Sequence, residues 1–164
     1  MSRKRRSYEA GHSPKLLVII DDSPECDRAV YLASRRAART GARVVMLRVI
    51  ETHDQGQQWL GVADIMRAEA HEEANQVLAR FAARAHKIAG ITPEQVIREG
   101  DKAEQIFALI DEDEDIAALV LAAGTGTEGP GPLVSSLSKS AGTFPIPIAI
   151  VPGHLNDEEI DSMT

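Results

Sequence analysis

The sequence has one cysteine, and Cys26 alone can form no internal disulfide. Its five histidines, His12, His53, His71, His86 and His154, are scattered. No H-E-x-x-H and no Cys or His pair at ligand spacing is present, so a structural zinc site is excluded and the histidines are read as structural or solvated. G-x-S-x-G is missing too, and nothing pairs a base with a nucleophile, so no catalytic residue is assigned. No apolar run approaches the ~18 residues of a membrane helix. The stretch after the basic residues 3–6, SYEAGHSPK, is too polar for the core of a secretory signal. A cytoplasmic protein without a membrane partner is the expectation.

Charge is present in both signs but unevenly placed. Arg3, Lys4, Arg5 and Arg6 form a basic head, and Asp157, Glu158, Glu159 and Asp161 an acidic tail. The two cancel, so the middle of the chain carries the net charge of −7. An acidic body argues against nucleic-acid binding, which needs a basic surface to neutralise phosphates. Short charge runs near a terminus read as solvated chain. The division expected is a disordered basic tail over residues 1–13, one domain over 14–153 and an acidic tail over 154–164; 164 residues suit one domain with a real core.

Within that domain the pattern alternates. Lys15 to Asp21 (KLLVIID) is a short apolar run suited to a parallel strand covered on both faces. Ser23 and Pro24 then offer a cap and a first turn for a helix that Gly41 ends. Ala42 to Ile50 is a second strand, and Glu51 to Gly61 a polar connection holding the only Trp. A long helix follows to about Ala89, its stripe running through Ala74, Val77, Leu78, Phe81, Ala85 and Ile88. Glu94 to Arg98 is a third strand, placed to the side of the sheet. Asp101 and Glu104 have capping-box spacing ahead of a helix whose buried face is Ile106, Phe107 and Ile110, and the acidic run Asp111 to Asp115 reads as its solvated end. Ala117 to Ala123 is a fourth strand, Leu133 to Ala141 a short helix and Ile146 to Val151 a fifth strand. Strands alternating with helices imply right-handed crossovers onto a parallel sheet.

Ligands of such sheets sit beyond the carboxyl ends of the strands, where strand order reverses. Two segments lie there: Asp21-Asp22-Ser23, and the glycine loop that follows the fourth strand, GTGTEGPGP. Paired Asp after a first strand also opens phosphoacceptor receiver domains. That reading lacks an Asp at the end of the next apolar strand, where Ala123 and Gly124 stand, and a Lys near the last strand. Gly124, Gly126 and Gly129 spell the dinucleotide pattern G-x-G-x-x-G, but after the wrong strand and with no acidic residue about twenty positions on. The start of the helix near Leu133 offers free N–H groups, a favourable dipole and the hydroxyls of Ser135 and Ser136 to a phosphate. Pro130 and Pro132 remove donors, and Glu128 adds negative charge.

Three ordered segments resemble the universal stress protein family: VIIDDSPECDRAVYLASRRAARTGARVVMLRVIE, REGDKAEQIFALIDEDEDIAALVLAAG and FPIPIAIVPG. The resemblance implies an α/β fold, a doubly wound five-stranded parallel sheet of order 3-2-1-4-5, as in adenine nucleotide α-hydrolase-like proteins. It implies ATP or another adenine nucleotide, with Mg2+, between strands one and four in those members that carry G-x2-G-x9-G-[ST]. By that resemblance Asp21 meets the adenine or ribose, and Val49 lines the base pocket. Gly124, Thr125 and Gly126 approach ribose or phosphates, and Ser135 with Ser136 binds phosphate. Arg48 stands where many relatives have His. The motif is altered: nine residues separate Gly124 from Val134, three fewer than in the family, and Val134 stands in place of a glycine. Two functions follow as expectations. One is an ATP-binding stress sensor with at most weak hydrolysis or autophosphorylation; the other is a nucleotide-free interaction module. In both, a homodimer forms through the last strand, Ile146 to Val151.

Overall fold

The structure, a computed structural model, describes residues 4–51 and 60–164. Most of the connection read between Glu51 and Gly61, with its Trp, lies outside the described residues. The elements are β1 (Lys15–Ile19), α1 (Cys26–Thr40), β2 (Arg43–Ile50), α2 (Leu60–Ala89), β3 (Glu94–Glu99), α3 (Lys102–Glu112), β4 (Ile116–Ala123), α4 (Pro132–Lys139), a 3-10 turn at Ala141–Thr143, β5 (Ile148–Pro152) and α5 (Asp157–Asp161). The five strands form one sheet in the order β3-β2-β1-β4-β5, every pairing parallel. The α/β class and the strand order are those the sequence implied.

The continuous apolar run of β1 is explained by the two layers around it. Leu16, Val18 and Ile20 enter the core shared with α1 and α2, while Leu17 and Ile19 enter the opposite core with Ile106, Ile110, Val134 and Leu137. Full burial of each such side chain contributes about 1.5–3 kcal/mol. Strand β2 alternates in the same way, Val44 and Met46 to one core, Val45, Leu47 and Val49 to the other. The stripe read on α2 is real: Ala74, Val77, Leu78 and Ala85 are buried, and Phe81 and Ile88 pack against them.

Helix ends follow local chemistry. Gly41 closes α1 at φ 77°, its N–H donating to the Ala37 carbonyl, a left-handed turn that favours glycine. Asp101 caps α3 by accepting from Glu104 N at 3.1 Å. The expected cap of α1 is different: Ser23 donates both its N–H (3.0 Å) and its hydroxyl (2.5 Å) to Asp21 Oδ1, and the helix starts later, at Cys26. A carboxylate two residues upstream binds the serine more strongly than the helix can.

Four further expectations are corrected. The acidic segment past residue 154 is no tail: Asn156 and Glu159 form a reciprocal capping box, and Ile160 is fully buried in the core. Tyr31 of α1 donates to Asp161 at 2.9 Å, and Arg28 reaches both the Leu155 carbonyl (3.0 Å) and Asp157 (2.8 Å), which fastens α5 to α1. At the other end of the chain, the head is bound from Arg5 onward. Arg5 donates to the Ile110 and Asp113 carbonyls at 2.6 and 3.0 Å, Arg6 N–H donates to the Glu114 carbonyl, and Ser7 is buried. The run 111–115 is therefore not a solvated helix end. Asp113 pairs with Lys15 at 2.8 Å and Asp115 with His12 at 2.6 Å. Finally Phe107 is 39% exposed, its ring set against Phe144 at 5.0 Å, and Leu109 takes its expected place in the core.

Candidate functional site

Strand order reverses between β1 and β4, and the carboxyl ends of these strands flank a cleft of about 280 Å³. Ile19 and Leu121 give it an apolar surface from the sheet, Cys26 and Ala29 one from α1. Asp21, Asp22 and Glu25 bring three carboxylates, and Lys102 of α3 is the one basic side chain in its lining among the described residues. The remaining side is backbone, from Pro130 through Val134.

Asp21 is fixed by its neighbours. Its Oδ1 accepts from both the N–H and the hydroxyl of Ser23, which leaves Oδ2 for a ligand hydroxyl or amine. Arg48 explains the orientation of Asp22: it donates to the Ile20 carbonyl at 3.2 Å and pairs with Asp22 at 3.0 Å, so its charge is spent at the end of β1. Lys102 lies 3.6 Å from Glu51. Burial pushes the Cys26 thiol up to about 12, and it points at the Ile19 carbonyl at 3.6 Å. A thiol in that state is no nucleophile at neutral pH.

The glycine loop is closed on itself. Gly124 N–H donates to the Pro130 carbonyl at 2.9 Å, and Gly129 N–H to the Gly126 carbonyl at 3.2 Å. Gly129 and Gly131 adopt φ of 97° and 108°, so these two positions need glycine. Helix α4 begins with Pro132, and its first backbone bond is Ser135 N to the Gly131 carbonyl at 3.0 Å. The N–H groups of Leu133 and Val134 precede that bond and have no partner within the helix, and both residues line the cleft.

Residue Glu25 was not singled out in the sequence, and it dominates this side of the cleft. It stands at the entrance of α1 without a side-chain cap bond. Its carboxylate crosses to the loop: a Cβ added to Gly124 would come within 3.1 Å of Glu25 Oε1, and one added to Gly131 within 3.8 Å. The chain leaving β5 passes on its other side. A Cβ on Gly153 would lie 3.2 Å from the Glu25 Cβ and 2.4 Å from the Ala123 carbonyl oxygen, to which Gly153 N–H already donates at 2.9 Å.

Of the seven residues assigned by resemblance, Asp21 lines the cleft, and Gly124 meets it through Glu25. Val49 is buried in the core on the α3 side of the sheet. Thr125, Gly126, Ser135 and Ser136 are exposed and stand outside the cleft lining, as does Glu128. The carboxylate that lines the cleft beside the loop is that of Glu25, while Glu128 is exposed on the loop outside it. Val134 is a core residue, 8% exposed, so the substituted motif glycine has become part of the packing under α4.

Comparison with known proteins agrees with this architecture. Residues 13–152 match the model of the universal stress protein family, and the chain belongs to that family. Comparison with curated proteins finds no match. Among solved structures, the universal stress protein UspA from Lactobacillus plantarum is 18% identical with a TM-score of 0.69, covering 84% of this chain and 97% of its own. A universal stress protein from Archaeoglobus fulgidus, in complex with dAMP, is 16% identical at a TM-score of 0.58, over 84% and 96% of the two chains. A family protein from Arabidopsis thaliana with AMP bound is 17% identical at 0.58, over 88% and 94%. At these identities the likeness is one of fold. Among the described residues no helix is long and apolar enough to cross a membrane.

Proposed function

We propose that this member of the universal stress protein family is a regulatory adenine-nucleotide-binding protein, active as a homodimer, whose ligand enters the cleft between β1 and β4. The observation that carries this reading is the pairing, across one cleft, of a carboxylate with a free oxygen at the end of β1 and two unpaired helix N–H groups at the start of α4. A carboxylate accepts from ribose hydroxyls or an adenine amine, and helix N–H groups donate to phosphate. Relatives of the same fold are known in complex with dAMP and with AMP.

Size and charge favour a ligand with few phosphates. The cleft of about 280 Å³ is at the low end of the ~300–1,000 Å³ usual for small-molecule sites. Its three carboxylates face one lysine, so ATP with Mg2+ is the less favoured form. The reading asks for no fast catalysis, since the nucleophile beside the cleft, Cys26, is held protonated. Calorimetric titration with AMP, cAMP and ATP with Mg2+ tests it: binding of AMP at submillimolar concentration is expected, and absence of heat with all three at millimolar concentration rejects it.

A nucleotide-free interaction module is the second reading, favoured by the self-closed loop, in which Gly124 N–H is already spent on Pro130. Dimerisation belongs to both. Strand β5 is a sheet edge, and its Ile150 is 43% exposed; an apolar edge strand offers unpaired N–H and C=O groups to a second copy. Light scattering should give twice the mass of the 17.7 kDa chain. Ile150→Glu should give the monomer; a monomeric wild type at micromolar concentration refutes the dimer.

A further inference from the structure

We infer that Glu25 sets which nucleotides the cleft accepts: its carboxylate stands against the glycine loop where a phosphate chain would be received, so the site takes the nucleoside or monophosphate and turns away the triphosphate. This rests on the nucleotide reading above.

Cys26 opens α1, so Glu25 sits on the wall of the cleft opposite the loop, and the side chain is long enough to cross it. Glycine at 124 and 131 leaves the space into which Oε1 projects; side chains there would fill it, at 3.1 and 3.8 Å. Leu133 and Val134, whose N–H groups are the donors through which α4 would hold an anion, line the same cleft as Glu25.

Compensation is missing. Among the described residues the cations nearby are spent: Arg48 on Asp22 and the Ile20 carbonyl, Arg28 and Arg84 on Asp27. Lys102, the one basic side chain in the lining, is shared with Glu51 at 3.6 Å. Two negative groups at contact distance repel strongly in a half-buried site, and the repulsion grows with the number of phosphate charges. On the side away from the loop, Gly153 N–H is bonded to the Ala123 carbonyl, and a Cβ added to Gly153 would lie 3.2 Å from the Glu25 Cβ.

The test compares wild type with Glu25→Gln and Glu25→Ala, titrated calorimetrically with adenosine, AMP and ATP with Mg2+. Thermal unfolding serves as the folding control. Wild type is expected to bind adenosine and AMP more tightly than ATP. Both substitutions should raise ATP affinity by about tenfold or more while adenosine affinity changes less than about twofold, the pattern expected when a charge and not a shape is removed. Adenosine binding that persists with an unchanged ATP-to-adenosine ratio in both variants overturns the role of Glu25 alone. Failure of all three ligands to bind to any of the proteins overturns the nucleotide reading and this inference with it.

Discussion

The two ends of the sheet carry the same kinds of side chain and treat them in opposite ways. At the amino ends of the strands a set of buried and half-buried charges is paired off. Lys15, 8% exposed, is held by Asp113 at 2.8 Å and Glu94 at 3.0 Å; Asp115 takes His12; Arg43 takes Glu94. At the carboxyl ends Asp21 keeps an oxygen free and Glu25 faces a loop of backbone. Pairing charges completely stabilises a fold but leaves nothing for a ligand to bind. Under the proposed function, the contrast divides stability at one end of the sheet from recognition at the other.

The largest expected effect breaks the stabilising end. Burial alone would lower the Lys15 pKa, but hydrogen bonds and attraction from Asp113 and Glu94 outweigh it and hold the ammonium above its ordinary value. Lys15→Ala strands the Asp113 carboxylate and leaves Glu94 to Arg43 alone; it should cost about 3 kcal/mol in urea unfolding, near the low end for a buried ion pair because the partners are partly exposed. Nucleotide affinity of the folded variant should not change; a loss of affinity would erase the division between the two ends.

Restoring the family's glycine at the recognising end is next in size. Val134→Gly removes a buried side chain and places glycine in the first turn of α4, a loss of about 2 kcal/mol, with no gain in ATP affinity. Tighter ATP binding instead would mean that Val134, and not Glu25, limits the loop. Gly124→Asp should act the other way, leaving unfolding free energy within about 1 kcal/mol and weakening AMP by about tenfold, ~1.4 kcal/mol, because a second carboxylate joins Glu25.

The smallest effect sharpens the contrast within two residues of Glu25. Burial would raise the Asp27 pKa, but hydrogen bonds from Arg84 and Arg28 overcome this and hold its carboxyl below the usual range. Its stabilisation is present above the unfolded value of about 3.9 and is lost as pH falls through the lower folded value. Asp27→Asn should therefore unfold more easily than wild type at pH 6, by under about 1 kcal/mol given its partial exposure. The gap should close as pH falls through that lowered folded value, and a gap independent of pH would assign the effect to packing.

The strands and the helix stripe were legible because each rests on local periodicity. Asp21 was legible for the same reason, as the residue that ends an apolar run, whereas the order of the sheet, β3-β2-β1-β4-β5, was legible only through the resemblance of three segments to a known family. Glu25 was not: an acid in the first turn of a helix ordinarily complements the dipole, and only the fold of a loop a hundred residues later turns it toward Gly124. Charge runs misled in both tails. The bound head depends on partners in α3, which no local pattern shows, whereas α5 did carry a readable sign, the Asn156 and Glu159 spacing of a capping box.

The register of β1 has a consequence for synthesis. Lys15 pairs with Arg43 on one side and with Ile116 on the other. The central strand is thus made early and completes its second ladder only when a segment roughly a hundred residues downstream has been made, a wait of about 5–20 s at ~5–20 residues per second. During that interval Leu16 to Ile19 present an unpaired apolar edge, and the nascent chain depends on whatever shields that edge until β4 arrives.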